Sequence, residues 1–447
     1  MSEEAAPRAD LVACFAAALE AVDPAAALQR AVTRTGDGLA IAGRMLPAGS
    51  KLRVVAAGKA ACAMAAALEA LAGEAIVEGL AVTKDSHALP LARCAVREAG
   101  HPVPDARGAA AAGEALALAA RARPDETLVL LLSGGASALL SGPLAGLSLE
   151  DLASTTRVLL AAGATIDELN AVRKHLGAVG GGRLAGAAAG AGRIEVLVVS
   201  DVLGDALDVI GSGPCAADST RFSDAVAVLE ARGLAHRVSE PVRAHLARGV
   251  RGELPESVKP GDPALAKVAT TLLASNRDAL DAAAAAARAR GLRPCLVSRG
   301  LRGEARSIGR ALGALGLALR PGPPLLLLAG GEPTVTLRGD GRGGRAQELA
   351  LAAALELAGS TGIALLAAGT DGSDGPTDAA GAFADGGTVA RGSARGADAR
   401  AALARNDSHG FFRAEGGCFV TGPTRTNVMD LVLVRVAVPA RGTGTPR

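Results

Sequence analysis

The 447-residue sequence contains no Trp, no Tyr and only six Phe. A ligand base therefore cannot stack on an indole or phenol ring. Lysine is also scarce, with six lysines against forty-one arginines, so a lysine inside a glycine turn is informative here. Basic and acidic residues nearly balance at 47 and 45, which gives no argument for a nucleic-acid or membrane partner.

The six cysteines are scattered and form no Cys-x-x-Cys pair, which argues against a zinc site or a redox motif. We expect six buried thiols in a reducing cytoplasm. The start of the chain, MSEEAAPRAD, lacks the basic segment of a signal peptide. The longest uncharged run, 127–149, is interrupted by Ser-Gly-Gly and Ser-Gly-Pro, so we do not interpret it as a membrane span.

A chain of this length can hold two or three domains, each with its own core. The polar, proline-bearing stretch RGVRGELPESVKPGDP, residues 248–263, is the best linker candidate. We therefore predict an N-terminal α/β domain over residues 1–255 and a C-terminal domain over 262–440.

The densest stretch of the N-terminal half is LVLLLSGGASALL, residues 128–140. Its apolar start is typical of a strand buried on both faces, and the chain then turns at Ser133, Gly134, Gly135 and Ser137 into a helix. Free amides at such a turn attract phosphate or carboxylate groups. The alternative is an ordinary strand–helix turn that binds nothing.

A second strand, Leu52 to Ala57, runs into Gly58-Lys59-Ala60 and a long Ala-rich helix. This pattern puts the Lys59 ammonium beside a helix N-terminus, where it would bind an anion. The alternative is a solvated lysine at a helix start.

A third strand, 194–200, delivers Asp201 at its carboxyl end, followed by Gly204-Asp205. Open α/β sheets bind ligands at this end of their strands, so Asp201 would bind Mg²⁺ or accept a proton, unless it only caps a helix. We interpret His101 as a structural loop residue. Residues 173–175 form either an anion patch or a basic helix face.

In the C-terminal half, Arg342-Gly343-Gly344-Arg345 precedes a strong helix that begins at Ala346. This loop is a further candidate anion site, although it matches neither a P-loop nor a dinucleotide fingerprint. After the strand 363–368, three Asp within eight residues, Asp371, Asp374 and Asp378, form either hard-cation ligands or a turn rich in Asx caps.

Eleven stretches between Val54 and Leu433 together resemble the class II glycerate kinase family, also called the MOFRL family. They are AAGKAA, TKDSHA, AGHPVPD, LLSGGASALL, LNAVRKHLG, VVSDVLGD, IGSGP, GGEPTVTLRGDGRGGRAQELAL, AAGTDGSDGPTDAAGA, NDSHGFF and TGPTRTNVMDL. The resemblance implies an α/β fold with two Rossmann-like three-layer domains, mainly parallel sheets and an inter-domain active-site cleft, with the MOFRL segment at about 325–433. It also implies transfer of the γ-phosphate of ATP to D-glycerate with Mg²⁺, giving 2-phosphoglycerate. Ala136 and Ala346 depart from the family pattern, which has Gly and Asn there.

On this resemblance we assign Lys59 and Arg345 to clamp the substrate carboxylate and the transferring phosphate, and Asp201 to take the hydroxyl proton or hold the metal. The candidate nucleotide contacts are Ser133, Gly134, Gly135, Ser137, Gly343, Gly344, Asp371 and Asp374. The candidate metal ligands are Asp201, Asp205 and Glu332. We expect a monomer or homodimer. Two alternatives stay open: an NAD(P)H-dependent hydroxypyruvate reductase, whose G-x-G-x-x-G fingerprint is missing after the first strand, and a non-catalytic sugar-phosphate or nucleotide-binding protein.

Overall fold

The structure, a computed structural model, describes residues 5–36, 38–47, 49–319 and 322–437. Its helices are Ala5–Ala21 (α1), Pro24–Ala31 (α2), Ala61–Ala72 (α3), Ala106–Ala120 (α4), Ala136–Leu139 (α5), Leu149–Ala161 (α6), Ile166–Leu176 (α7), Arg183–Ala187 (α8), Phe222–Ala231 (α9), Glu240–Val250 (α10), Asn276–Ala289 (α11), Ala305–Ala318 (α12), Arg345–Leu357 (α13), Thr388–Ala394 (α14), Ala399–Ala404 (α15) and Ser408–Glu415 (α16). Its strands are Val32–Thr35 (β1), Gly38–Ile41 (β2), Arg44–Met45 (β3), Lys51–Ala57 (β4), Ile76–Lys84 (β5), Cys94–Ala99 (β6), Glu126–Leu132 (β7), Arg193–Val199 (β8), Val268–Ala274 (β9), Arg293–Leu301 (β10), Leu325–Gly331 (β11), Ile363–Gly369 (β12), Gly381–Asp385 (β13), Cys418–Phe419 (β14) and Asp430–Val436 (β15).

The chain divides into two compact units. The N-terminal unit is residues 24–273, and the C-terminal unit joins residues 1–23 to residues 274–447. This division differs from the domains predicted from the sequence, because α1 packs with the C-terminal unit. There Phe15 meets Phe419 edge-on with ring centroids 5.3 Å apart, and Arg435 Nε donates to Asp10 Oδ2 at 3.0 Å.

The large sheet of the N-terminal unit has the strand order β6-β5-β4-β7-β8-β9, and its pairs from β6 to β8 are parallel. Every residue of β7 is buried, which explains the unbroken apolar run of its last five residues, 128–132. From β4 the chain proceeds outward to β5 and β6 and then returns to β7 on the other side of β4. The strand order therefore reverses between β4 and β7, and at such a switch point the carboxyl ends of the strands open a crevice that binds ligands.

A helical cluster of α6, α7, α9 and α10 shares its own apolar core within the N-terminal unit. Two reciprocal capping boxes define where its first helices begin. Ser148 and Asp151 cap α6, and Thr165 and Glu168 cap α7, each through paired side chain–backbone hydrogen bonds.

The six-stranded sheet of the C-terminal unit has the order β10-β11-β15-β12-β13-β14. In it β10 and β11 are parallel, whereas β15 runs antiparallel to both β11 and β12 and the remaining pairs are antiparallel. The α/β class and the two sheets are confirmed, but mainly parallel pairing does not hold in this second sheet. The reason is that β15 follows a polar turn, without a crossover helix, and so enters between β11 and β12 in the opposite direction.

The six cysteines are free thiols, of which Cys295 on the edge strand β10 is exposed and Cys418 is half-buried. The prediction of six buried thiols is wrong for these two. Within the described ranges, no single helix has both the length and the apolar composition to cross a membrane, and only α1 and α2 taken together pass that test.

Candidate active site

The turns that follow β4 and β7 are hydrogen-bonded to each other. Ser133 N donates to Ala57 O at 3.0 Å, Lys59 N donates to Gly134 O at 2.9 Å, and Ala60 N donates to Ser133 Oγ at 3.0 Å. The two predicted anion turns therefore form one structure at the switch point. Ser133 is only 2% exposed, and its hydroxyl accepts the bond from Ala60 N.

Gly58 is required by this close approach. Its φ is +125°, and a Cβ at this position would lie 2.2 Å from Ser133 Oγ and 2.4 Å from Ser133 O. Any side chain would push the two turns apart, so the glycine that precedes Lys59 serves packing as well as conformation.

Lys59, His101 and Gly135 surround one point beside this turn. A Cβ at Gly135 would meet His101 Cδ2 and Nε2 at 3.0 Å and Lys59 Cγ at 3.6 Å. The structure thus brings the predicted Lys59 and Gly135 together. It adds His101, a predicted structural residue, which the loop after β6 brings to this point.

Ser137 lies on the wall of a neighbouring pocket. Its Oγ is 3.1 Å from Ser212 Oγ, and the carbonyl of Ser137 accepts a bond of 3.4 Å from Arg173 Nη2. Ser212 and Arg173 line the same pocket. Neither was assigned to the site from the sequence, although Arg173 belongs to the basic trio whose role had been left open.

The other two members of that trio are structural. The Lys174 side chain is 3% exposed and lies 3.3 Å from Asp208 and 3.5 Å from Asp218. His175 is fully buried, with Nδ1 2.7 Å from Ala171 O and Nε2 3.1 Å from Glu256. The trio is therefore neither a shared anion patch nor a basic surface, since only Arg173 faces the pocket.

The predicted carboxylates of the N-terminal unit follow β8. Asp201 and Asp205 are both half-buried on the loop after this strand, and Asp205 has a φ of 55° in a turn whose amide donates to Val202 O. Among the residues that the structure describes, no group of three or more His, Cys, Asp or Glu side chains is arranged to hold a metal ion. The third predicted ligand, Glu332, pairs with Arg345 in the C-terminal unit.

Carboxylates also collect at one edge of the sheet in the C-terminal unit. Because β15 is antiparallel, its first residue Asp430 lies opposite Gly331 and Gly369, where β11 and β12 end. Glu332 directly follows β11, and Asp371 lies two residues after the end of β12. The strand directions therefore bring three acidic residues to the same edge.

Arg345, the first residue of α13, is held by two of these carboxylates. Its Nε and Nη2 donate to Asp430 at 2.6 and 3.0 Å, and its Nη1 donates to Glu332 at 2.7 Å. Burial disfavours the charged guanidinium, but Asp430 and Glu332 outweigh it and raise the pKa of Arg345 above its ordinary value. Asp430 was missed as a site residue, although it stands in one of the family-like stretches.

Asp374 caps the start of α13. Its carboxylate accepts bonds from Ala346 N at 3.0 Å, Gln347 N at 2.8 Å and Gln347 Nε2 at 3.0 Å. Burial raises the pKa of Asp374 to about 6, although the two amides favour the ionised form. The helix amides predicted to bind a nucleotide thus hold an internal carboxylate.

Gly343 and Gly344 pack closely against neighbouring segments. A Cβ at Gly344 would lie 2.2 Å from Asp374 Oδ1, and one at Gly343 would lie 2.2 Å from Ser408 Oγ. In the same loop Asp371 accepts bonds from the amide and the hydroxyl of Ser373 at 3.0 and 3.1 Å, which is the Asx-turn pattern.

Two family models match the chain. The model described as Domain of unknown function (DUF4147) covers residues 10–247, and the MOFRL family model covers residues 325–430. Among curated proteins, the glycerate 2-kinase of Pyrococcus horikoshii is 41% identical over 425 residues, which is 94% of this chain and 95% of that protein. A putative hydroxypyruvate reductase of Agrobacterium vitis is 42% identical over 385 residues, 85% of either chain.

A solved structure is similar over the whole fold. The crystal structure of glycerate kinase from Thermotoga maritima has a TM-score of 0.82 and 37% identity to this chain, covering 96% of this chain and 99% of that one. The likeness therefore extends across both units.

Proposed function

The chain belongs to the class II glycerate kinase family, whose C-terminal part is the MOFRL domain, and we propose that it phosphorylates D-glycerate with ATP to give 2-phosphoglycerate. In this reaction the acceptor oxygen bonds to the γ-phosphorus, the bond to the bridging oxygen breaks, and ADP leaves. Catalysis of such a transfer depends mainly on positioning the reactants and neutralising phosphate charge.

The observation that carries this proposal is Lys59 at the switch point between β4 and β7. One of only six lysines in the chain stands where a parallel sheet binds ligands, next to Gly135 and His101. Its ammonium would neutralise an oxygen of the transferring phosphate. The backbone of Gly134 and Gly135 and the hydroxyl of Ser137 would contact neighbouring phosphate oxygens.

Asp201 would accept the proton of the attacking hydroxyl or hold Mg²⁺. The donors fit this ion, since Asp201 and Asp205 offer carboxylate oxygens from one loop, and Mg²⁺ is usually held by one or two carboxylates together with substrate phosphates. When bound, the ion neutralises charge on the phosphate oxygens.

In the C-terminal unit, Arg345 would bind an anionic group of a substrate while Asp430 and Glu332 fix the plane of its guanidinium. Asp371 and the backbone of Gly343 and Gly344 would contact the nucleotide. Asp374 would act indirectly, because its oxygens are engaged by the first turn of α13. The enzyme would act on small molecules in the cytoplasm as a monomer or homodimer.

The test is to incubate purified protein with ATP, Mg²⁺ and D-glycerate, to measure ADP release, and to identify the product by phosphorus NMR. ADP together with a 2-phosphoglycerate signal is expected. A 3-phosphoglycerate signal would still show kinase activity, but with the 3-hydroxyl as the phosphate acceptor. If no ADP forms, hydroxypyruvate with NADH tests the activity named for the Agrobacterium vitis relative, and binding of glycerate and ATP without turnover would indicate a binding protein.

A further inference from the structure

A pocket of about 160 Å³ lies in the N-terminal unit between the turn after β7 and the helices α6 and α7. Much of its wall is apolar, formed by residues such as Leu152, Leu159 and Val172. Against this wall stand one guanidinium, that of Arg173, and the hydroxyls of Ser137 and Ser212. A pocket with one charge and few polar groups orients a small anionic ligand.

Arg173 has no carboxylate partner within the described part of the chain, and its Nη2 donates a hydrogen bond of 3.4 Å to Ser137 O. Burial without a compensating charge lowers the pKa of Arg173. Arg345, by contrast, is flanked by two carboxylates. Burying an unpaired guanidinium costs free energy unless an anion binds to it. The planar, forked arrangement of its N–H groups matches the two oxygens of a carboxylate.

Spare hydrogen-bonding groups surround the same place. Thr155 lines the pocket, and its Oγ1 is buried without a hydrogen-bond partner among the described residues. Ser212 Oγ lies 3.1 Å from Ser137 Oγ and 3.4 Å from Asn170 Oδ1, and the Nδ2 of Asn170 is likewise buried and unpartnered there. A ligand that carries hydroxyl groups as well as a carboxylate would use this capacity.

The pocket adjoins the catalytic candidates. Pro102, which follows His101, and Ser137, which lies two residues after Gly135, both line it. Its volume of about 160 Å³ suits a three-carbon acid and is smaller than the roughly 300 Å³ at which pockets for larger ligands begin.

We infer that this pocket binds the hydroxy-acid acceptor, with Arg173 holding the carboxylate and Ser212 contacting the hydroxyl end, beside Ser137, whose hydroxyl would contact the transferring phosphate. This inference rests on the proposed function, which it deepens. Arg173 would be the residue that selects a carboxylate-bearing acceptor, and the acceptor hydroxyl would face Lys59.

The experiment compares Arg173→Gln and Arg173→Lys with the wild type and with Arg157→Gln, a change in an exposed ion pair on the neighbouring helix α6. In Arg173→Gln the KM for D-glycerate should rise about 100-fold while the KM for ATP changes less than about threefold, because one charged contact to one substrate is lost. Arg173→Lys should show an intermediate rise. The preference for glycerate over its uncharged amide, glyceramide, should largely disappear in Arg173→Gln.

Calorimetric titration with D-glycerate alone separates the possible failures. If the wild type releases no ADP, the proposed function fails, whereas loss of glycerate binding in Arg173→Gln still supports the pocket. If the wild type is active and both Arg173 variants, shown to be folded by their melting temperatures, keep a normal KM for glycerate and normal discrimination against glyceramide, the inference is overturned. A rise confined to the KM for ATP also overturns the inference and would mean that Arg173 binds the nucleotide instead of the acceptor.

Discussion

Arg345 and Asp430 form a bidentate ion pair that joins the first residue of α13 to the first residue of β15, with Nε–Oδ2 and Nη2–Oδ1 distances of 2.6 and 3.0 Å. The Asp430 side chain is 5% exposed. The pair therefore fixes the start of a helix to the edge of the sheet, and it holds the guanidinium in one plane.

Removing the charge of Asp430 should destabilise the protein. Asp430→Asn leaves Arg345 paired with Glu332 alone, and we expect the free energy of unfolding to fall by about 2 kcal/mol, because two charged hydrogen bonds to a buried carboxylate are lost. Urea unfolding measures this loss. Asp340→Asn, a change of an exposed carboxyl in the same unit, is the control, and equal stability of the two variants would show that the pair contributes nothing.

Asp374 should make stability depend on pH. Its folded pKa of about 6 lies above the ordinary 3.8, so the native state binds the proton more tightly. Its contribution to stability is therefore complete below pH 3.8 and is lost as pH rises through about 6. The stability difference between the wild type and Asp374→Asn should thus decline by up to about 3 kcal/mol from pH 4 to pH 7. A difference that grows with pH in denaturation measurements would contradict the assignment.

Lys59→Ala should impair turnover without unfolding the protein. We expect kcat/KM for phosphoryl transfer to fall at least about 30-fold, equivalent to about 2 kcal/mol of transition-state stabilisation. Lys51→Ala removes an exposed lysine from the other end of β4 and should leave the rate unchanged. Arg345→Ala should lose at least as much as Lys59→Ala, and near-normal turnover in both would refute their assignment as substrate-binding residues.

Gly58→Ala should be far more damaging than an alanine at Gly73. Both glycines have positive φ, 125° and 52°, but a Cβ at Gly73 meets nothing within 4 Å, whereas one at Gly58 would overlap Ser133. We expect Gly73→Ala to cost about 1 kcal/mol and Gly58→Ala more than about 3 kcal/mol. Thermal unfolding compares them, and similar melting temperatures would mean that the two turns separate easily.

The parts of the site that could be predicted are those that depend on a short, continuous sequence pattern. Buried apolar runs ending in glycine identified β4 and β7, and their parallel pairing at the switch point follows from the strand–helix alternation. The sequence also allowed Arg173 and Lys174 to be separated. Adjacent residues on a helix point in different directions and do not share one face. Only one of them could therefore face a pocket.

Other features depend on contacts between distant parts of the chain. No local pattern in the stretch TGPTRTNVMDL predicts that β15 lies between β11 and β12. The contact between Asp430 and Arg345 could therefore not be predicted. The same holds for α1, whose packing against residues more than 400 positions away left no local pattern. Capture of the α13 amides by Asp374 likewise depends on how the loop after β12 folds back.

The C-terminal unit is built from the two ends of the chain, and this has a consequence for its synthesis on the ribosome. Its first helix, α1, is translated at the start, whereas β15, a central strand of its sheet, is translated at residues 430–436. At usual elongation rates, roughly 20 to 80 s separate the two. The N-terminal unit, which is one continuous segment, can form during this interval. Until β15 is translated, α1 lacks most of the unit that it packs against, and β11 and β12 have no strand between them, so the incomplete C-terminal unit exposes apolar surface and unpaired strand edges.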